Sequence, residues 1–250
     1  MYTGIARVYD RLNEDVDYEK WADYVTRLFN KYGCKPDLVL ELACGTGSFA
    51  IIMSKKGYEM ICVDISEEML TEAGQKAEAA GQNILFLQQD MTSFELYGTV
   101  GAIVCLLDSV NHLQDMEDVK KMLRLCYNYL DPGGLLIFDV NTLHKLENIY
   151  GDNVFYVDEE DFTCIWQCEY DPNERRSFID IVLFQKLNDL YQKFEDTIIE
   201  TAFDLEDLKE ACTKAGFVCE GMFDEFTFNP YTENSERVFY IVRKSGEKNK

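Results

Sequence analysis

The sequence predicts an α/β fold, a doubly wound and mostly parallel sheet that carries a small antiparallel β insertion. Three observations predict it. Apolar strand-like runs alternate with amphipathic helical runs between about residues 36 and 141, the rhythm of βαβ units. The first of those strands runs directly into a glycine-rich turn, Gly45-Thr46-Gly47. Beyond about residue 150 the rhythm gives way to long extended runs joined by short turns.

Taken in order, residues 17–33 place Trp21, Tyr24, Val25, Leu28, Phe29 and Tyr32 at helical spacing and end at Gly33. Leu38-Val39-Leu40-Glu41-Leu42 reads as the first strand, followed by a helix over 47–56 and a strand over 60–64. A helix over 66–80 starts at Ser66 with Glu67 and Glu68 in its first turn, and stops before Gly81. Strands over 84–88 and 101–107, a helix over 116–130 and a strand over 135–140 follow, the last preceded by an Asp131-Pro132-Gly133-Gly134 turn. Residues 153–170, 177–187 and 191–203 read as extended, with turns at Asp171-Pro172-Asn173 and Asn188-Asp189. A helix over 204–215 and strands near 217–227 and 236–243 close the chain. The expected division is an N-terminal helical cap over 1–35, a sheet domain over 36–150 and 203–245, and a β insertion over 151–202 that would act as a lid. Residues 246–250 form a tail.

Composition narrows the chemistry. Of 250 residues 47% are hydrophobic, enough for a sizeable core. No apolar run approaches the roughly 18 residues of a membrane span, and the first 21 residues hold no apolar signal region. A cytoplasmic location is the expectation. The formal charge of −22 repels a phosphate backbone and argues against nucleic acid as partner. Nine cysteines, an odd number, sit mostly inside apolar runs, where they act as small hydrophobes. With no C-x-x-C and two histidines, no metal is expected; Cys164 and Cys168, sharing a strand face, are the weak exception.

Gly45-x-Gly47-x-x-Ala50 formally fits a dinucleotide-binding turn, in which glycine lets a ligand touch the backbone at a helix N-terminus. Glu41, at the end of the strand before it, discriminates between cofactors. A carboxylate there repels a pyrophosphate but suits the ammonium and sulfonium of S-adenosylmethionine. Asp64 ends the second strand, 17 residues after Gly47, where an acid can accept both ribose hydroxyls of either cofactor; a plain helix N-terminal charge is the alternative. Asp90 closes the third strand, and Asp108-Ser109-Val110-Asn111 the fourth.

This ordered set resembles the class I S-adenosylmethionine-dependent methyltransferases. The resemblance extends to a bacterial subfamily of small-molecule enzymes that includes amino-sugar N-methyltransferases, on Tyr2, Tyr9-Asp10, Tyr18-x-x-Trp21, Trp166 in the insertion and Glu236-Arg237-Val238-Phe239-Tyr240. It implies a Rossmann-like seven-stranded sheet, antiparallel at its last strand. It implies cofactor contacts from Glu41, Ala43, Gly45, Gly47, Asp64, Ile65, Asp90, Met91, Leu107, Asp108, Tyr9 and Trp21. The absence of D/N-P-P-Y/F after the fourth strand points to methyl transfer onto an N or O atom of a small molecule. His112 and Tyr9 are the candidate catalytic residues, and Asn111, Trp166 and Tyr231 the candidate acceptor contacts. Relatives carry a His and an Arg on the last insertion strand, whereas Glu195–Phe203 has neither, so those roles do not transfer. A nucleotide-dependent oxidoreductase, a protein or peptide methyltransferase and a non-catalytic cofactor-binding regulator stay open as alternatives, as does monomer against homodimer.

Overall fold

The computed structural model describes residues 6–246; Tyr2 and the last four tail residues lie outside them. A short helix, α1 (Ala6–Leu12), precedes α2 (Tyr18–Lys31). The alternating part follows as β1 (Leu38–Leu42), α3 (Ser48–Lys55), β2 (Glu59–Asp64), α4 (Glu67–Ala79), β3 (Leu85–Gln88), β4 (Val100–Cys105), α5 (Met116–Tyr129) and β5 (Leu130–Asn141). Four strands come next: β6 (Val154–Asp158) and the longer β7 (Phe162–Asp171), β8 (Arg176–Leu187) and β9 (Leu190–Thr201). The chain closes with α6 (Leu205–Lys214), β10 (Phe217–Asp224) and β11 (Arg237–Lys244).

The main sheet has seven strands in the order β3-β2-β1-β4-β5-β11-β10. Strands β1 to β5 pair in parallel, and β11 is antiparallel to both its neighbours. Its central strands are apolar at nearly every position because helices cover both faces. Alternate residues feed opposite layers. Leu40, Leu42, Ile103, Cys105, Leu136 and Phe138 join the layer of α5 and α6. Val39, Ala102, Val104, Leu135 and Ile137 join the apolar stripe of α2, formed by Trp21, Tyr24, Val25, Leu28 and Phe29. Side chains cap the helix starts: Asp17 accepts the Lys20 N–H at 2.9 Å, and Ser66, the expected cap, the Met69 N–H at 3.2 Å.

The insertion is a separate antiparallel meander in the order β6-β7-β8-β9. The expected extended run over 153–170 is in fact two strands, because Glu159–Asp161 turns the chain between β6 and β7. One face is buried. It packs Phe162, Cys164 and Leu183 against Val8 of α1, and Cys168, Ile179 and Ile198 into a second cluster. Cys164 and Cys168 therefore share a face but fill different apolar clusters.

Two further differences from the sequence reading have physical causes. Helix α1 has seven residues, too few to display a periodic stripe. Asp131-Pro132-Gly133-Gly134 does not separate helix from strand: β5 already begins at Leu130, and these residues form a bulge. Val100 pairs with Leu130 and Ala102 with Leu135, leaving Gly101 opposite the extra residues. A Cβ on Gly134 would lie 2.8 Å from the Gly101 carbonyl, so the two backbones approach only because the side chain is absent. Gly134→Ala is expected to destabilise the fold by about 1–3 kcal/mol, measured as a lower midpoint in thermal or urea unfolding.

Candidate active site

Strands β1 and β4 are adjacent, yet the chain leaves them in opposite directions, which opens a crevice beyond their C-terminal ends. Three non-glycine residues at its rim have left-handed backbones, Ala43 (φ 53°), Leu107 (φ 57°) and Asp108 (φ 53°). Such strain persists where the surroundings impose it. The crevice holds a cavity of about 310 Å³. Its wall includes Tyr9 and Tyr18, the segment Ala43–Thr46, Asp64–Ser66, Gln89–Thr92, Leu106–Ser109 and His112.

The glycine-rich turn is tied to the second strand. The Gly45 N–H donates to Asp64 Oδ2 at 2.8 Å and the Ser66 N–H to Oδ1 at 2.9 Å. Burial still raises the Asp64 carboxyl above its ordinary value, against these backbone donors. Gly47 has φ 71°, and a Cβ there would meet Ala73 at 3.1 Å and the Phe86 ring at 3.2 Å. It lets α3 start close against α4. Ile65 is 61% exposed beside Asp64, a bare apolar surface on the cavity wall. Asp90 Oδ1 accepts the Thr92 N–H and hydroxyl, both at 2.7 Å, and Met91 lines the wall next to it.

Glu41 faces the cavity at 5% exposure. Its neighbour is the Cys62 thiol, with Sγ 3.8 Å from Oε2. Among the described residues it forms no ion pair. Burial first, and then the nearby Asp64 charge, pushes its carboxyl up to about 8 against the Cys62 thiol. A buried acid without a cation is costly and fits a site whose ligand brings the positive charge.

The Leu107–Asp108 turn is pinned from below. Their N–H groups donate to the two oxygens of Asp139 at 2.8 and 2.9 Å. Arg237 closes the arrangement, donating to Asp139 and, at 2.7 Å, to Asp108. The guanidinium lowers Asp108 despite burial. Asp139 is pushed up to about 6, since burial outweighs the same guanidinium. On the other side of the cavity Asp10 of α1 accepts from Thr46 at 2.5 Å, Ser48 at 3.3 Å and Lys76.

The structure thus brings Tyr9, Glu41, Ala43, Gly45, Asp64, Ile65, Asp90, Met91, Leu107, Asp108 and His112 to one cavity. Gly47 stands directly behind its wall. Burial holds the His112 imidazole below its ordinary value. Four expected residues lie elsewhere. Trp21 is buried against Phe226 and Phe239 with the Arg237 guanidinium 5.3 Å from its ring. Asn111 is a brace: it donates to the carbonyls of Asn141 and Thr201 at 3.0 Å and accepts the Asn141 N–H at 2.9 Å. Trp166 stacks on Phe155 within the insertion, and Tyr231 donates to Glu206 at 3.2 Å. Asp139 went unread. Its signal was a lone acid inside the apolar strand Leu135-Leu136-Ile137-Phe138-Asp139-Val140, where a buried charge demands a partner.

Residues 39–134 match the family model described as a methyltransferase domain. The putative methyltransferase YqeM of Bacillus subtilis (strain 168) is 34% identical over 248 residues, covering 98% of each chain. The crystal structure of an S-adenosylmethionine-dependent methyltransferase from Clostridium acetobutylicum ATCC 824 superposes with a TM-score of 0.88 at 29% identity, over 98% of this chain and 99% of that one. The chain belongs to the S-adenosylmethionine-dependent methyltransferases. The dTDP-3-amino-3,4,6-trideoxy-alpha-D-glucopyranose N,N-dimethyltransferase of Streptomyces venezuelae is 28% identical over 136 residues, 54% of this chain and 56% of its own. S-adenosylmethionine is the cofactor, and a cavity with a cation-free buried acid and a fixed strand-end carboxylate at Asp64 suits it.

Two outcomes test this description. Arg237→Ala leaves Asp139, which is 0% exposed, without its counter-charge, and a loss of about 3–5 kcal/mol is expected in denaturant unfolding. Glu41 binds a proton in the folded state that the unfolded chain has released, across the window from its ordinary value to about 8. The cofactor-free protein therefore loses stability as pH rises through that window. Glu41→Gln is expected to flatten the decline and to raise the melting temperature at pH 8, read from thermal scans at a series of pH values.

Proposed function

We propose that this enzyme methylates an N or O nucleophile of a small molecule in the cytoplasm. The observation that carries the reading is helix α1, which bridges the glycine-rich turn and the insertion at one side of the cavity. Helix α1 is tied to the cofactor turn through Asp10 and to the insertion through Arg11, whose guanidinium meets Asp161 with two bonds of 2.7 Å. A peptide in extended conformation would need an open groove instead. Among the described residues no helix is long and apolar enough to cross a membrane.

In this reading Asp64 accepts from the ribose hydroxyls, Ile65 covers one face of the adenine, and Asp90 with the Met91 N–H meets its edge. Glu41 and the strained Ala43 and Leu107–Asp108 backbone receive the methionine end. The bound cofactor supplies an electrophilic methyl on a sulfonium. The protein's task is then alignment and exclusion of water, and orientation alone is worth about 7–11 kcal/mol. Tyr9 lies 4.0 Å from the position of a Cβ on Gly45 and covers the turn, with burial keeping its phenol protonated. His112, neutral at physiological pH, can accept a proton at the cavity wall. The relative named as an amino-sugar N,N-dimethyltransferase supports nitrogen as the acceptor atom.

Calorimetric titration checks the cofactor assignment. Asp64→Ala is expected to weaken S-adenosylmethionine binding at least tenfold; unchanged affinity removes the ribose role. A screen of small amines and alcohols beside basic peptides, read by release of S-adenosylhomocysteine, checks the acceptor class. Turnover confined to peptides would overturn the small-molecule reading.

A further inference from the structure

The turn Gly45-x-Gly47-x-x-Ala50 fits the dinucleotide pattern, yet the family's cofactor carries no pyrophosphate. Folds that bind dinucleotides set the pyrophosphate on this turn, against the N-terminus of the helix that follows. The parts of such a place are present here. Helix α3 starts at Ser48 behind Gly47, which has no side chain to cap it, and the first N–H groups of a helix have no partner within it. Around that end stand three side-chain donors. The hydroxyl-bearing Thr46 and Ser48 both line the cavity. The Lys76 ammonium of α4 reaches their oxygens at 3.1 and 2.6 Å.

An anion already occupies this place, and it belongs to the chain itself. Asp10 of α1 accepts through Oδ1 from Thr46 Oγ1 at 2.5 Å and from Ser48 Oγ at 3.3 Å. Its other oxygen, Oδ2, accepts from Lys76. One residue earlier, Tyr9 covers Gly45, its ring 4.0 Å from where a Cβ would stand. Helix α1 thus fills both features that a pyrophosphate needs bare, the glycine backbone and the helix end. It is held there from its other side. Val8 packs with Phe162, Cys164 and Leu183 of the insertion, and Arg11 donates twice to Asp161 at 2.7 Å.

We infer that Asp10 is a specificity-determining residue: its carboxylate takes the anion position of the glycine-rich turn, so the turn refuses the pyrophosphate of a dinucleotide and is left to S-adenosylmethionine. Glu41 acts differently. Its neighbour is the Cys62 thiol, and it repels an anion from the end of β1 without holding the donors of the turn. Asp10 holds those donors, and a phosphate has to displace it from them. Charge-assisted bonds of this kind are the strong ones. A tethered group also competes at roughly millimolar effective concentration even on a flexible linker, and α1 is a helix anchored on both sides.

The test is calorimetric titration of the full-length protein with inorganic pyrophosphate, ADP-ribose and S-adenosylhomocysteine. The wild type is expected to bind S-adenosylhomocysteine and to leave pyrophosphate unbound at tens of millimolar. Asp10→Asn keeps the shape and removes the charge, and Asp10→Ala removes both. Each is expected to bind pyrophosphate and ADP-ribose at least tenfold more tightly than the wild type, and less tightly as salt is added. The affinity for ADP-ribose relative to S-adenosylhomocysteine is expected to rise at least tenfold, whereas a merely loosened cavity weakens both. Asp10→Glu is expected to restore exclusion. Lys76→Met, added to Asp10→Asn, is expected to cancel the gain, and Glu41→Gln alone to give none with pyrophosphate. No gain in either Asp10 variant, a gain that survives Lys76→Met, a pyrophosphate site opened by Glu41→Gln instead, or a wild type that binds ADP-ribose as tightly as S-adenosylhomocysteine would overturn the inference.

Discussion

Asp139 and Arg237 form the contact on which the rest of the site depends. An aspartate with no exposed surface satisfies two backbone N–H groups and a guanidinium at once. Buried charge is tolerable only when its geometry is complete, and here completeness fixes the backbone of Leu107 and Asp108 in a conformation that neither residue would choose alone. The shape of the cavity at the end of β4 follows from a carboxylate beneath it. Arg237 also leans on Trp21, so the packing of α2 and the conformation of the cavity wall are coupled through one side chain.

The two sides of the cavity are built on different principles. The side of the glycine-rich turn is held by backbone donors converging on Asp64 and by helices packed at glycine distance. The opposite side is formed by α1, which is tied to the turn through Asp10 and to the insertion through Arg11 and Asp161. These pieces meet through ion pairs and hydrogen bonds that are partly exposed, such as Arg11 with Asp161. Pairs of that kind contribute little individually. A wall held by several weak contacts opens more readily than a core.

The sequence carried the sheet and the cofactor motifs openly, because both are local. A strand buried on two faces is an unbroken apolar run, and a turn that approaches a ligand needs its glycines at fixed spacing. Glu41, Asp64 and Asp90 could be read for the same reason: each ends its own strand. What could not be read depends on contacts between remote segments. Trp21 and Trp166 have the composition of binding residues, but their neighbours, Phe226 and Phe155, turn them into packing. Asn111 sits in a segment that reads as an acceptor contact, yet Asn141 and Thr201, contributed by β5 and β9, occupy both ends of its amide.

Arg237 lies on the strand that comes last in the chain but sits inside the sheet, between β5 and β10. During synthesis the nascent polypeptide exposes the cavity motifs of β1 to β4 long before that strand leaves the ribosome. Until it arrives, β5 has an open edge, and Asp139 and Asp108 lack the Arg237 guanidinium. Unpaired edges of this kind are where chains mispair. The motifs of β1 to β4 therefore stand in the chain well ahead of the strand whose guanidinium completes the wall they form.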